Sequence, residues 1–141
     1  MPANLIVLDA SVVIEWFHEE KDTDRAIILQ EQIAQGEVRT LVPPLLFYEV
    51  ANVLTMKSGS EIEEVINAHQ ILENLPFQVV EVIHTVLEEA VRIAHQNHIS
   101  VYDAIYVALA ILSDATLVTA DEKLAKVIGS PAVQLLSDFP S

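Results

Sequence analysis

Four acids stand where a carboxylate is costly: Asp9, Glu49, Asp103 and Asp121. The apolar run Leu5-Ile6-Val7-Leu8 ends at Asp9, and a second apolar run follows at once in "ASVVIEWF". Glu49 lies in "PPLLFYEVANVLTM", three residues after Leu46 and four before Val53, on the apolar stripe of Leu46, Val50, Val53 and Leu54. A carboxylate on a core-facing stripe must be paired, hydrogen-bonded or bound to a cation. Its mid-helix place excludes capping. That leaves a cation, a buried pair with an Arg, or a helix turned enough to put Glu49 at the core edge. Asp103 shares the face of Tyr106, Val107 and Ala110, although Ser100-x-x-Asp103 also fits a capping box. Asp121 follows "ATLVT" and Asp9 precedes "SVVIEWF", so each could serve as a helix N-cap.

Taken one at a time, three of the four have adequate structural explanations. Taken together they do not, because like charges held within a few ångströms raise one another's pKa and cost stability. Divalent cations are the natural compensation, and all-oxygen ligation suits Mg²⁺ or Mn²⁺. One or two such ions, about 4 Å apart when paired, activate water and clamp a phosphodiester for in-line displacement. The expected reaction is therefore metal-assisted phosphodiester hydrolysis. With no cysteine in the chain, a zinc-thiolate site and a thiol nucleophile are excluded.

The elements that must position these acids follow from periodicity. Asn4 to Leu8 reads as a buried strand, Ser11 to Phe17 as a short helix, and "DTDRAIILQEQIAQG" as a longer helix from Asp22 to Gly36. "VRTLVP" is a strand, and Pro43-Pro44 opens a helix that stops near Gly59. Ser60 starts another helix with an acidic box, "PFQVVEV" is a third strand, and "TVLEEAVRIAHQNH" a fifth helix. "SVYDAIYVALAIL" is apolar almost all round and should be buried, and "ATLVT", "DEKLAKVIG" and "AVQLL" complete the chain as strand, helix, strand. Strands separated by helices imply an α/β fold, with a small, mainly parallel sheet covered on both faces. Sites in such sheets form beyond the carboxyl ends of the strands, where Asp9 and Asp121 fall.

No linker or repeat divides the 141 residues, so residues 1–141 are expected to form one domain. No apolar run reaches bilayer length, and the start lacks the pattern of a signal peptide, which makes no membrane and the cytoplasm the default expectations. Seven Lys and Arg against 21 Asp and Glu give a formal charge of −14. That surface repels nucleic acid at long range and attracts multivalent cations or a basic partner.

"VLDAS" after a first strand, "PPLLFYEVANVL", "YDAIYVALAILSDATLVTAD" and the short helix after it closely resemble the PIN-domain family. The nearest likeness is to the small VapC-type ribonuclease toxins of VapBC toxin–antitoxin pairs. The resemblance spans nearly the whole chain in order and implies a three-layer PIN-like sandwich. It also implies that Asp9, Glu49, Asp103 and Asp121 are the acidic metal-binding quartet of a Mg²⁺- or Mn²⁺-dependent ribonuclease, supported by the hydroxyls of Ser11 and Thr119. An RNA substrate, a cognate antitoxin and a homodimer are further implications, and the acidic surface would suit an antitoxin with a basic segment. The alternative is a PIN-like binding or scaffold module without strong catalysis. A phosphotransfer enzyme with Asp9 as nucleophile is disfavoured, because Ser11 stands where a dehalogenase-like phosphatase needs a second acid.

Family members of this type often carry more basic residues near the substrate groove. Here Lys57, Lys123 and Lys126 are the candidates for phosphate contact, against a reading as an ordinary solvated face. His95 and His98 read as partners of a helix C-terminus rather than ligands. Trp16 and Phe17 read as core or partner contact rather than base-stacking groups. Asp22 and Asp24 read as a helix start.

Overall fold

In the computed structural model, which describes residues 4–140, five strands are separated from one another by one or two of seven α-helices. The order is β1 (Asn4–Leu8), α1 (Ala10–Phe17), α2 (Thr23–Ala34), β2 (Val38–Val42), α3 (Leu45–Met56), α4 (Ile62–Glu73), β3 (Phe77–Val79), α5 (His84–Asn97), α6 (Val101–Leu112), β4 (Thr116–Thr119), α7 (Glu122–Ile128) and β5 (Val133–Leu135). The sheet runs β3-β2-β1-β4-β5, and every pairing is parallel. Val7 of β1 is in register with Leu41 of β2 on one side and Leu117 of β4 on the other. The chain builds outward from β1 to β3, then crosses back to β4 and builds the other way. Because parallel crossovers are right-handed, α1–α4 lie on one face and α5–α7 on the other.

That topology explains the composition of β1. Ile6, Val7 and Leu8 are covered on both faces and retain at most 1% exposure, so the strand reads as a continuous apolar run. Each such side chain contributes about 1.5–3 kcal/mol by leaving water. On α6, Ala104 to Ala110 are all buried, as expected, although Tyr102, Ile111 and Leu112 at the two ends are exposed. Trp16 belongs to the core: its Nε1–H donates to the Ala26 carbonyl at 2.7 Å, and its ring stacks on Phe77 with centroids 6.5 Å apart.

Two elements differ from expectation. The third strand is confined to Phe77–Val79 because it is a sheet edge, where Gln78 and Val79 are exposed and only β2 offers a partner. Helix α4 begins at Ile62 with Glu61 at its N-cap position and no side-chain cap. Ser60 is spent on the preceding turn instead, its N–H closing onto the Lys57 carbonyl at 3.1 Å around Gly59, whose φ of 76° a side chain would resist.

The order of the strands reverses between β1 and β4. Beyond their carboxyl ends lies the crevice where open α/β sheets bind ligands, and Asp9 and Asp121 follow those two strands directly.

Candidate active site

Asp9 occupies the N-cap position of α1, yet its side chain makes no capping bond. Its Oδ2 instead accepts from the hydroxyls of Ser11 at 2.7 Å and Thr119 at 2.6 Å. Both hydroxyls are held in turn: Ser11 Oγ accepts from the Ala120 N–H at 2.9 Å, and Thr119 Oγ1 from the Asp121 N–H at 3.0 Å. The end of β1 and the end of β4 are thus tied together through two hydroxyls and one carboxylate. Oδ1 of Asp9 receives no bond among the described residues and is left for another partner.

Asp9 is buried, with 6% of its surface exposed. Burial pushes its pKa up to about 6; Thr119 and Ser11 pull the other way, and the charges of Asp103 and Glu49 add to the rise.

Glu49 projects from α3 and is half-buried, while Leu46, Val50 and Leu54 are buried and Val53 is 39% exposed. The apolar stripe is therefore rotated from the expected one, with Glu49 at its edge rather than its centre. No Arg pairs with it among the described residues. The fully buried Tyr106 of α6 donates its O–H to Glu49 Oε1 at 2.5 Å instead. Burial raises the Glu49 pKa, the Tyr106 bond opposes that, and Asp103 adds to it. The same bond, after burial, holds the Tyr106 phenol far above its ordinary range, so it stays a donor.

Asp103 lies in the first turn of α6, where its N–H bonds Ser100 Oγ at 3.0 Å, so Ser100 performs the capping. Its half-buried carboxylate is pushed up in pKa by burial first and by Asp121 second. Asp121 does cap α7, its Oδ1 accepting from the Leu124 N–H at 3.1 Å, and it is exposed. The four acids thus act on one another in a chain: Glu49 and Asp103 on Asp9, Asp103 on Glu49, and Asp121 on Asp103. No Lys, Arg or His makes an ion pair with any of them among the described residues.

The PIN domain family model matches residues 6–129, nearly the whole chain. The chain belongs to the PIN-domain family. It is 32% identical over 126 residues to the ribonuclease VapC3 of Pyrobaculum aerophilum, covering 86% of this chain and 92% of that protein. A solved toxin–antitoxin complex from Klebsiella pneumoniae shares the fold with a TM-score of 0.71 at 18% identity, covering 93% of this chain and 97% of that one. The sarcin–ricin-loop-cleaving toxin VapC20 of Mycobacterium tuberculosis does so with a TM-score of 0.68 at 15% identity, over 86% and 93%.

In this PIN domain the donor set is all carboxylate, unneutralised by protein cations, and includes one oxygen of Asp9 without a partner. That chemistry fits a hard divalent cation. Among the described residues, no three acidic or imidazole groups already converge on a single ion position. Asp9 is fixed by its two hydroxyls, Glu49 by Tyr106 and Asp121 by the Leu124 N–H, and the carboxylates of Glu49 and Asp103 are half-buried while Asp121 is exposed.

Two contributors escape a reading of the sequence. Tyr106 looks like core, yet its hydroxyl is a polar group inside the otherwise apolar stretch Ala104–Ala110, and a buried hydroxyl needs a partner. Glu15, one turn after Ser11, is 5% exposed and accepts from the Asp22 N–H at 3.0 Å, bracing the α1–α2 loop. Burial and then the Asp22 charge raise its pKa. Of the three lysines anticipated for phosphate contact, Lys123 shares a cavity with Asp103 and Asp121, whereas Lys57 lies in one with Phe17 and Leu54 that touches none of the four acids. Lys126 is in the last turn of α7. His98 ends α5 with a left-handed backbone, φ 54°, its N–H closing onto the Ala94 carbonyl.

Proposed function

We propose that this PIN domain is a Mg²⁺- or Mn²⁺-dependent ribonuclease in which Asp9, Glu49, Asp103 and Asp121 hold the metal. The observation that carries it is a set of four carboxylates around the β1/β4 crevice, three raised in pKa by burial and further by others of the set and the fourth exposed, with no cationic side chain pairing with them among the described residues. The relative named ribonuclease VapC3 supports the substrate class. When bound, a divalent cation supplies Lewis acidity toward the phosphodiester and lowers the pKa of the attacking water. The chain's own residues do the rest. Ser11 and Thr119 fix Asp9 as the rigid wall of the site, and Tyr106 orients Glu49. Ser100 holds the first turn of α6 so that Asp103 stays at the crevice.

Residues 1–141 act in this reading as one unit in the cytoplasm. A toxin role with an antitoxin partner follows from the toxin–antitoxin assemblies among the structural neighbours and from the −14 charge, which suits a basic segment. Exposed Met56, Ile62 and Ile66 on α3 and α4 offer apolar area for such a contact, and Leu87 and Val91 of α5, with Ile83 just before it at the same spacing of four, offer area for pairing two copies. The test is incubation of the purified, partner-free chain with RNA and Mn²⁺. Internal cleavage abolished by EDTA is expected. Intact RNA in the presence of bound Mn²⁺ would favour the scaffold reading.

A further inference from the structure

Only seven Lys and Arg serve this chain, so where each one sits decides how a polyanion could be held at all. Arg25 donates to the Phe139 carbonyl, Arg92 pairs with Glu89 on its own helix, and Arg39 faces a cavity at the amino ends of the strands with Asn4 and Thr116. Lys57 lines a cavity that touches none of the four acids, and Lys126, in the last turn of α7, lines neither cavity beside Asp121. Lys21 and Lys123 are different. Asp121 stands on the ridge between two cavities: one of about 370 Å³ with Lys21, Ser11 and Glu122, and one of about 290 Å³ with Lys123, Ser100 and Asp103. Each cavity holds a single lysine, on opposite sides of the same acid.

Lys21 is already engaged. Its Nζ lies 3.0 Å from Glu122 Oε1, a contact that reaches from the α1–α2 loop to the start of α7 along the flank of Asp121. Both side chains are largely exposed, 78% and 67%, and a pair of that kind contributes little and exchanges readily. The loop carrying Lys21 is braced separately by Glu15 through the Asp22 N–H, so it keeps its place when the pair opens.

We propose that an RNA strand crosses the site over Asp121, that Lys21 and Lys123 each take a phosphate on either side of the scissile one, and that Glu122 competes with the strand for Lys21. This rests on the nuclease reading. It makes Lys21 and Lys123 positioning residues, and it gives the acidic surface a function: a strand is held only where these two cations face the crevice, and elsewhere it is repelled. For a single strand, each neutralised phosphate contributes about 0.7 to the slope of log affinity against log salt, which is roughly a fivefold change in affinity near 0.1 M salt.

The test uses a labelled single-stranded uridine oligonucleotide with Mn²⁺, the charge variants being built on Asp103→Asn so that the strand is not cut. Fluorescence anisotropy is followed over a salt titration. Lys21→Gln and Lys123→Gln should each lower affinity about fivefold and the salt slope by about 0.7, and Glu122→Gln should raise affinity. Parental affinity and slope in both lysine variants would overturn the proposal. So would equal weakening by Lys21→Gln and Glu122→Gln, the result expected of a mere loop brace. A wild-type chain that binds the strand without cutting it overturns the nuclease reading, while the salt slopes of the two lysine variants still report the phosphate contacts; a parent and a wild-type chain that both bind no strand overturn the strand path over Asp121.

Discussion

Replacing Asp9 by Asn should stabilise the metal-free protein while destroying its response to metal. An Asn side chain keeps the acceptor for Ser11 and Thr119, which both bond the same oxygen of Asp9, and turns its amide toward the acids that repel the native carboxylate. The folded-state pKa of Asp9 is about 6 against an ordinary 3.8. A carboxyl raised in this way destabilises the fold when ionised, so the penalty is complete above about pH 6 and relieved as the pH falls from there toward the unfolded value. Two pKa units at 1.36 kcal/mol each give about 3 kcal/mol at pH 8, or roughly 10 °C in Tm for a chain of this size. Thermal and urea denaturation in EDTA, at pH 8 and again near pH 4, measure the difference between wild type and Asp9→Asn. The variant should be the more stable at pH 8 and the advantage should vanish near pH 4. Added Mn²⁺ should raise the wild-type Tm and leave the variant unmoved. A variant less stable than wild type at pH 8 would refute the argument that Asp9 carries an uncompensated charge.

Tyr106→Phe removes the donor to Glu49 and should weaken Mn²⁺ binding by about 10-fold or more, as loss of an orienting partner does; calorimetric titration with circular dichroism as a fold control checks this. Thr119→Val leaves Asp9 short of a donor and the Asp121 N–H without its acceptor, and should cost about 1–3 kcal/mol in urea unfolding. Ser100→Ala removes the α6 cap, with an expected loss of about 1 kcal/mol. Glu15→Gln keeps the acceptor for the Asp22 N–H while removing a charge that burial disfavours. It should therefore equal or exceed wild-type stability at pH 8, and wild type should close the gap as the medium is acidified.

The fold was largely legible because β1, β2 and β4 are covered on both faces and α6 is buried along its middle, and such segments write their periodicity plainly. The edge strand β3 was legible only in position, since an exposed three-residue strand has no pattern to set its length. Among the acids, Asp9 and Asp121 were marked by strands that end at them, and Glu49 by its company on an apolar helix. What the sequence could not give was pairing across distance. That Tyr106 answers Glu49, and that Lys21 reaches Glu122, are contacts between segments 57 and 101 residues apart. Glu49 itself sits at the edge of its stripe, within reach of that tyrosine. Where Lys57 stands relative to the four acids was likewise illegible: it depends on where α3 ends in space, which periodicity does not encode.

If these carboxylates act through a metal on RNA, cutting must need both the metal and Asp103. Cleavage of one defined RNA by wild type and by Asp103→Asn, each folded by circular dichroism and assayed side by side with Mn²⁺ or EDTA, tests it most directly. The account predicts Mn²⁺-dependent cutting by wild type that EDTA abolishes, and a loss of more than about 100-fold in the variant, beyond the range that outer-shell changes reach. Undiminished Mn²⁺-dependent cutting by folded Asp103→Asn would contradict it.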